Sequence, residues 1–192
     1  MQELKDRIVK EGKVLPGNII KVDGFLNHRI DTELMDHIAE EFGKHFNMDE
    51  VTVILTAEAS GIALSAIVAQ HYHKPMIFAK KAKSDNIEGG LYQSDIFSYT
   101  YKKKVTLLVS KEWISSDDKI LIIDDFMANG EAMRGLCDIV KAAGATLVGI
   151  GCAVEKGFQG GGDRLRAAGV NLKSLAIIES AEPGNIVFRD DD

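Results

Sequence analysis

The chain has 192 residues, of which 45% are hydrophobic and 27% charged, a balance typical of a single globular domain. Its 23 Lys and Arg residues against 29 Asp and Glu residues give a formal net charge of −6, which disfavours a nucleic-acid partner because the phosphate backbone usually binds a basic surface. No stretch approaches the roughly 18 apolar residues of a membrane-spanning helix, so we expect no membrane partner either.

The N-terminal part of the chain predicts two helices with an extended segment between them. Leu4 and Ile8 lie four residues apart in a polar stretch that stops at Gly12, which indicates a short amphipathic helix. Residues 18–23 follow a Pro-Gly turn and are predicted to be extended. Asp31 then stands where an N-cap residue would begin the second helix.

The rest of the chain alternates between apolar runs and stretches with helical character. Strands are predicted at residues 51–56, 75–80, 105–109, 119–123, 145–154, 175–179 and 186–188. Helices are predicted at residues 61–71, 131–143 and 163–168. This alternation indicates one α/β domain over residues 1–192, with a mostly parallel twisted sheet and helices on both faces. In such sheets ligands bind beyond the carboxyl ends of the strands, where we expect the chemistry.

One stretch, residues 81–104, departs from this alternation. It is polar and charged, contains Gly89 and Gly90, and then alternates in polarity from Tyr92 to Thr100. This pattern predicts a mobile excursion or a β-hairpin attached to the α/β core.

The two cysteines, Cys137 and Cys152, lie in separate apolar segments, and the sequence has no CxxC pair. This spacing favours buried free thiols over a disulfide or a zinc site. We therefore expect a cytoplasmic protein that holds no metal by direct ligation from its own side chains.

Residues 120–132 carry the strongest chemical indication in the sequence. Four apolar residues, 120–123, are followed by Asp124 and Asp125. Residues 128–132 then read Ala-Asn-Gly-Glu-Ala at the start of a predicted helix. Because burying two carboxylates costs free energy, we expect both to emerge at the edge of the sheet. A loop that opens a helix presents backbone N–H groups and the positive end of the helix dipole, which suits a phosphate group. The two features together fit a ribose phosphate; the alternative is that the aspartates only cap the helix or face solvent.

Two other nucleotide-binding motifs are missing from the sequence. The sequence contains no GxxxxGK motif followed by Ser or Thr, so a kinase-like phosphate-binding loop is excluded. Residues 149–151 lack the third glycine of a dinucleotide fingerprint, and Gly160, Gly161 and Gly162 do not directly follow a predicted strand. A dehydrogenase-like site is therefore disfavoured.

Residues 120–132 resemble the phosphoribosyl-pyrophosphate signature of the type I phosphoribosyltransferases. Residues 25–28 (Phe-Leu-Asn-His), residues 155–159 (Glu-Lys-Gly-Phe-Gln) and the overall length extend the likeness over essentially the whole chain, to bacterial members of that family that act on xanthine. The resemblance implies a small N-terminal hood, formed by residues 1–30 with the C-terminal part, and a flexible catalytic loop at residues 81–104.

The resemblance also implies a role for each group of candidate residues. The catalytic carboxylates, which would bind the ribose 2- and 3-hydroxyls, are Asp124 and Asp125. The loop for the 5-phosphate comprises Ala128, Asn129, Gly130, Glu131 and Ala132. The pyrophosphate loop comprises Glu58, Ala59, Ser60 and Gly61, and the flexible-loop lysines are Lys80, Lys81 and Lys83. The purine would contact Ile20, Asn27, Lys156 and Phe158. Taken singly, residues of this last group more often serve as packing or as solvated charge.

The implied reaction transfers the phosphoribosyl group of phosphoribosyl pyrophosphate to N9 of a purine base, with Mg²⁺ assisting the departure of pyrophosphate. The Lys156 ammonium only donates hydrogen bonds, which favours a 6-oxopurine over adenine. Ser60 stands where adenine-specific relatives typically carry an arginine. The resemblance implies xanthine as the base, with guanine, hypoxanthine or adenine as alternatives.

Two further expectations concern partners. A non-catalytic sensor of phosphoribosyl pyrophosphate is an alternative to the enzyme, disfavoured because the chain is acidic and has no spare length for an effector module. Relatives in the family are homodimers, so the resemblance implies a homodimer. The residues expected at its interface are Phe97, Tyr99 and Tyr101.

Overall fold

The computed structural model describes residues 1–81, 90–98 and 103–190. The helices are α1 (Gln2–Glu11), α2 (Thr32–Gly43), α3 (Gly61–His71), α4 (Glu131–Ala142) and α5 (Gly161–Ala167). The strands are β1 (Lys13–Leu15), β2 (Ile19–Lys21), β3 (Val53–Ala57), β4 (Met76–Ala79), β5 (Leu91–Ser98), β6 (Lys103–Ser110), β7 (Lys119–Met127), β8 (Thr146–Lys156), β9 (Leu172–Glu182) and β10 (Asn185–Phe188). A π-helical turn (Asp23–Asn27) precedes α2, and a 3₁₀ turn (Gly157–Gln159) follows β8.

Six of these strands form the central sheet, in the order β10-β9-β8-β7-β3-β4. All neighbouring pairs are parallel except β9 and β10, which are antiparallel. The predicted α/β fold with a mostly parallel sheet is therefore confirmed. None of the helices in the described part of the chain is long and apolar enough to cross a bilayer.

The two faces of the sheet pack against different elements because successive side chains of a strand point to opposite faces. Leu121 and Ile123 of β7 belong to the apolar cluster that contains the buried sides of α1, α2 and α3. Ile120 and Ile122 belong to the second cluster, with α4 and strands β5 and β6. Helices thus cover both faces, as predicted.

Local sequence features set several helix boundaries. The Asp31 carboxylate caps α2 by accepting a hydrogen bond from the backbone N–H of Leu34 at 3.2 Å, as predicted. Helix α1 ends at Gly12, and α4 ends just before Gly144, whose φ of +72° is a left-handed conformation that glycine adopts without strain.

Strands β5 and β6 form the predicted hairpin, but its second arm lies further along the chain than expected. Residues 105–109 were predicted as a strand apart from the excursion, whereas β6 pairs antiparallel with β5 from Leu91 opposite Ser110 to Ser98 opposite Lys103. The apolar side chains of this pair are buried because they pack over Gly135 of α4, where an added Cβ would lie 2.5 Å from Ile96 Cγ2. Burial by a helix explains why β6 resembles a core strand in sequence.

The N-terminal segment packs against the last strands of the sheet. Strands β1 and β2 pair antiparallel, and Ile20, Phe25 and Leu26 are buried in the same cluster as Ile178 and Ala181 of β9. This arrangement brings the π-helical turn and the β2 segment beside the carboxyl ends of the central strands.

Candidate active site

The three strands at the centre of the sheet each lead into a candidate loop. Strand β7 lies between β3 and β8, and all three run parallel. From β3 the chain moves outward to β4, whereas from β7 it moves outward in the opposite direction to β8 and β9. The carboxyl ends of β3 and β7 therefore flank a topological switch point, the usual ligand site of an open α/β sheet.

A cavity of about 360 Å³ lies at this edge of the sheet. The predicted residues that line it are Ile20, Asn27, Glu58, Ser60, Lys81, Asp124, Ala128, Asn129, Gly130, Glu131, Ala132 and Lys156. Residues that were not named individually as candidates also line it: Ala57, Ile96, Phe97, Phe126, Met127 and Met133. The described candidates outside this lining are Ala59, Gly61, Lys80, Asp125 and Phe158. Lys83 lies outside the described residues, as do Tyr99 and Tyr101.

The two aspartates differ in their surroundings. Strand β7 does not end at Ile123, as predicted, but continues through both aspartates to Met127. Asp124 lines the cavity although only 7% of the residue is exposed, and Asp125 is 1% exposed. The expectation that both carboxylates emerge at the edge is therefore wrong for Asp125, whose burial is compensated by hydrogen bonds.

Asp125 joins two loops that are distant in sequence. Its Oδ2 accepts a hydrogen bond from Asn27 Nδ2 at 2.9 Å, and its Oδ1 accepts one from Ser60 Oγ at 2.8 Å. Asp124 Oδ1 in turn accepts the backbone N–H of Asp125 at 3.1 Å. Burial, together with the neighbouring charge of Asp125, raises the pKa of Asp124 well above its ordinary value.

The loop after β7 opens helix α4 through Gly130, whose φ is +75°. We call residues 128–132, the loop predicted to bind the 5-phosphate, the phosphate loop. The Glu131 carboxylate within it accepts the backbone N–H of Phe97 at 3.4 Å and pairs with Arg134 at 3.2 Å. The hydrogen bond from Arg134 holds the pKa of Glu131 below its ordinary value. This negative side chain is thus neutralised locally, and the N-terminus of α4 remains suited to an anion.

The loop after β3 begins helix α3 in close contact with Asp124. A Cβ added at Gly61 would lie 2.1 Å from Asp124 Oδ1 and 2.3 Å from Thr56 Oγ1, so only glycine allows α3 to start there. The peptide bond between Glu58 and Ala59 is cis. The Glu58 carboxylate accepts the backbone N–H of Lys81 at 2.5 Å, which joins this loop to the start of the 81–104 stretch.

The side of the cavity beside β8 is formed by Lys156 and Phe126. Lys156 Nζ donates to the carbonyl oxygen of Asn18 at 3.3 Å and lies 5.4 Å from the centre of the Phe126 ring. Burial lowers the pKa of Lys156. Phe158 instead packs, partly buried, against the apolar cluster that contains Ile178.

Sequence reasoning missed Phe126, although it directly follows the two predicted aspartates. Strand β7 continues past Ile123 to Met127, so Phe126 still belongs to the strand that carries Asp124, and it lines the same cavity. The early predicted end of β7 concealed this relation.

Comparisons with known proteins place these observations in context. A family model for the phosphoribosyl transferase domain matches residues 25–168. The chain is 52% identical over 193 residues to a xanthine phosphoribosyltransferase from Lachnoclostridium phytofermentans, covering 100% of both chains. It is 50% identical over 192 residues to one from Bifidobacterium adolescentis, covering 98% of this chain and 100% of the relative.

A solved structure of an adenine phosphoribosyltransferase, from Rhodothermus marinus, is similar to the fold described above. Its TM-score is 0.74, and the match covers 93% of this chain and 100% of that chain. The sequence identity is 20%, so this likeness concerns the fold alone.

Proposed function

The chain belongs to the phosphoribosyltransferase family, and we propose that it transfers the 5-phosphoribosyl group of phosphoribosyl pyrophosphate to N9 of xanthine. The products are xanthosine 5′-monophosphate and pyrophosphate, as in purine salvage. The observation that carries the choice of base is about 50% identity over the whole chain to xanthine phosphoribosyltransferases. The cavity, which joins carboxylate, anion-binding and base-facing groups, supports the same activity.

We assign the ribose phosphate to Asp124 and the phosphate loop. Breaking the bond at the anomeric carbon builds positive charge on the ribose ring, as in glycoside cleavage. The Asp124 carboxylate at the cavity wall would orient the ribose hydroxyls and stabilise that charge. Backbone N–H groups of the loop and the N-terminal dipole of α4 would hold the 5-phosphate, which explains phosphate binding by a chain of net charge −6.

The departing pyrophosphate is assigned to the loop after β3, with Ser60 and Gly61, and to the lysines Lys80, Lys81 and Lys83. In the described part of the chain no three His, Cys, Asp or Glu side chains are grouped to hold a metal. We propose that Mg²⁺ is held by the substrate phosphates and water rather than by direct protein ligation, with the acidic residues Glu58 and Asp124 lining the cavity nearby. Bound Mg²⁺ would neutralise charge on the leaving group.

The purine is assigned to the side of the cavity formed by Lys156, Phe126, Ile20 and Asn27. Lys156 would donate to an exocyclic oxygen. Because Asn27 Nδ2 donates to Asp125, the amide oxygen of Asn27 is left to accept an N–H of the base. We assign the contact with the purine ring to Phe126 in place of Phe158. Phe158 instead packs the 157–159 turn against the apolar cluster.

Lys156→Met is expected to raise KM for xanthine at least about tenfold, because a hydrogen bond from a charged group to the base is lost. KM for phosphoribosyl pyrophosphate should change less than about threefold. The folded state should not be weakened, since burial already disfavours the charged form of Lys156. Steady-state kinetics with each substrate varied in turn measure both constants. Equal changes in the two KM values would show that Lys156 does not bind the base.

Asp125→Asn is expected to lower kcat/KM roughly 10- to 100-fold while the chain still folds, because asparagine keeps one acceptor oxygen and loses the other. The effect should be reproduced in part by Asn27→Ala and by Ser60→Ala, which remove the two donors one at a time. If Asp125→Asn retains full activity, or if neither donor variant loses any, the assigned coupling through Asp125 is wrong.

The assay that tests the function supplies phosphoribosyl pyrophosphate, Mg²⁺ and one base at a time: xanthine, guanine, hypoxanthine or adenine. Pyrophosphate release should be fastest with xanthine. If pyrophosphate release is fastest with a different base, the assigned base specificity is wrong, but the assigned phosphoribosyl transfer stands. Binding of phosphoribosyl pyrophosphate without turnover of any base would instead support the sensor.

Two further parts of the proposal concern assembly and location. We propose a homodimer that involves the exposed Phe97 side of the hairpin, and a cytoplasmic enzyme whose cysteines stay reduced. Burial raises the pKa of Cys137 to about 11, which keeps it as an unreactive thiol. Sedimentation as a monomer at micromolar concentration would contradict the dimer.

A further inference from the structure

Three consecutive glycines, Gly160–Gly162, follow the turn after Lys156, and one of them, Gly161, contacts the phosphate loop. This turn is the 3₁₀ turn, and the glycines begin helix α5. We call residues 156–160 the base loop. The glycines therefore lie where the base loop and the phosphate loop meet. Their sequence does not match a dinucleotide-binding fingerprint.

At Gly161 the backbone of α5 touches the backbone of the phosphate loop. A Cβ added there would lie 2.3 Å from the carbonyl oxygen of Ala128 and 2.6 Å from the amide nitrogen of Gly130. From the other side, a Cβ at Gly130 would lie 3.3 Å from the Cα of Gly161. The backbone of the phosphate loop thus packs directly on the start of α5. Any side chain at position 161 would prevent this contact.

One arginine on α5 bonds to both loops. Arg164 Nη2 donates to the carbonyl oxygen of Asn129 in the phosphate loop at 3.0 Å, and its Nη1 donates to that of Gln159 in the base loop at 3.5 Å. The planar guanidinium holds its donors in a fixed geometry, so the two carbonyls are kept at a defined separation. Arg164 is exposed, so its bonds add little to the core.

Helix α5 is held against strand β8 by contacts of Gly162 and Arg166 with Glu155. Gly162 packs against Glu155 so closely that a Cβ would lie 2.0 Å from Glu155 Oε1. The fully buried Glu155 carboxylate accepts two hydrogen bonds from Arg166, at 3.1 and 2.7 Å. This anchoring makes α5 a rigid support from which Arg164 reaches both loops.

We propose that Arg164 is a positioning residue that fixes the separation between the base loop and the phosphate loop. A ligand that spans both loops gains from this preorganisation, whereas a ligand on the phosphate loop alone gains little. The inference rests on the proposed function, which supplies the spanning ligand, a purine nucleoside 5′-monophosphate.

The test compares two ligands by calorimetric titration on the full chain. In Arg164→Met, xanthosine 5′-monophosphate should bind about tenfold more weakly, whereas ribose 5-phosphate should change less than about threefold. Arg164→Lys keeps the charge but has a single ammonium in place of the planar fork, so it should resemble Arg164→Met. Tm should stay within about 2 °C of wild type, because Arg164 is a surface residue.

Lys141→Met, which removes an exposed charge from the last turn of α4, is the matched control and should change neither affinity. Gly161→Ala is a second variant that pushes the loops apart and should also weaken the nucleotide more than the sugar phosphate. Wild-type nucleotide affinity in Arg164→Met or Arg164→Lys, or equal weakening of both ligands, would overturn the inference. A wild-type protein that binds no purine nucleotide contradicts the proposed function as well, and that failure is seen before any variant is made.

Discussion

Asp124→Asn is expected to lower kcat/KM about 100- to 1,000-fold, the usual loss when one preorganised electrostatic group of an active site is removed. Asp124 is the aspartate whose side chain reaches the cavity, between the phosphate loop and the start of α3. Asparagine has the same shape and retains one acceptor, so the loss would measure the charge rather than the packing. Initial rates with phosphoribosyl pyrophosphate and xanthine give the ratio.

The same substitution should leave the fold at least as stable as wild type at pH 7. Burial and the charge of Asp125 raise the pKa of Asp124 in the folded protein above its ordinary value of 3.8. A raised folded pKa means that stability is fully present below the unfolded pKa and is lost as pH rises through the folded value. Wild type should therefore gain stability relative to Asp124→Asn as pH falls from 7, until the difference levels off below about pH 4.

Urea unfolding at several pH values measures this difference, and Asp117→Asn serves as a matched control at an exposed aspartate. The control should retain activity, because Asp117 is exposed and does not line the cavity. An Asp124→Asn protein with near wild-type turnover would remove Asp124 from the chemistry. One that is inactive only because it is unfolded would show that the carboxylate is needed for folding.

Arg166→Met has the largest expected effect on stability, about 3 kcal/mol of the free energy of unfolding. It removes the cation that pairs with the fully buried Glu155 carboxylate at 2.7 Å and leaves that charge supported mainly by the Ser174 hydroxyl. Gly162 packs directly on the carboxylate, so the side chain has no room to turn toward water. For a chain of this size the loss corresponds to a Tm lower by roughly 6–12 °C.

A double-variant cycle separates the lost ion pair from lost packing. Arg166→Met combined with Glu155→Gln should recover about half of the stability or more, because no unpaired charge is then buried. Arg134→Met is the matched control, since Arg134 pairs with partly exposed Glu131 and exposed Asp138 and should contribute less than about 1 kcal/mol. If Arg166→Met is no more harmful than Arg134→Met, the buried pair does not stabilise α5.

The site was predictable to the extent that strand ends and glycines mark it. Asp124 and residues 128–132 line the cavity at the edge of the sheet where the sequence predicts the chemistry, and Gly61, although outside the lining, begins α3 against Asp124. The roles within the site were less predictable. Two adjacent carboxylates look alike in sequence, yet the alternation of β7 puts Asp124 at the cavity and Asp125 against Asn27 and Ser60.

The sequence by itself determined the order of the helices and of the six strands of the central sheet, and it indicates the loops to which we assign the phosphate groups. Caps, left-handed glycines and apolar periodicity can do this because they act over a few neighbouring residues. Only the tertiary structure decided which strands pair and which side chains meet. The bond between Asn27 and Asp125 joins residues 98 positions apart, and that between Arg164 and Asn129 joins residues 35 apart. Such contacts depend on how whole elements pack, and no local pattern of residues specifies them.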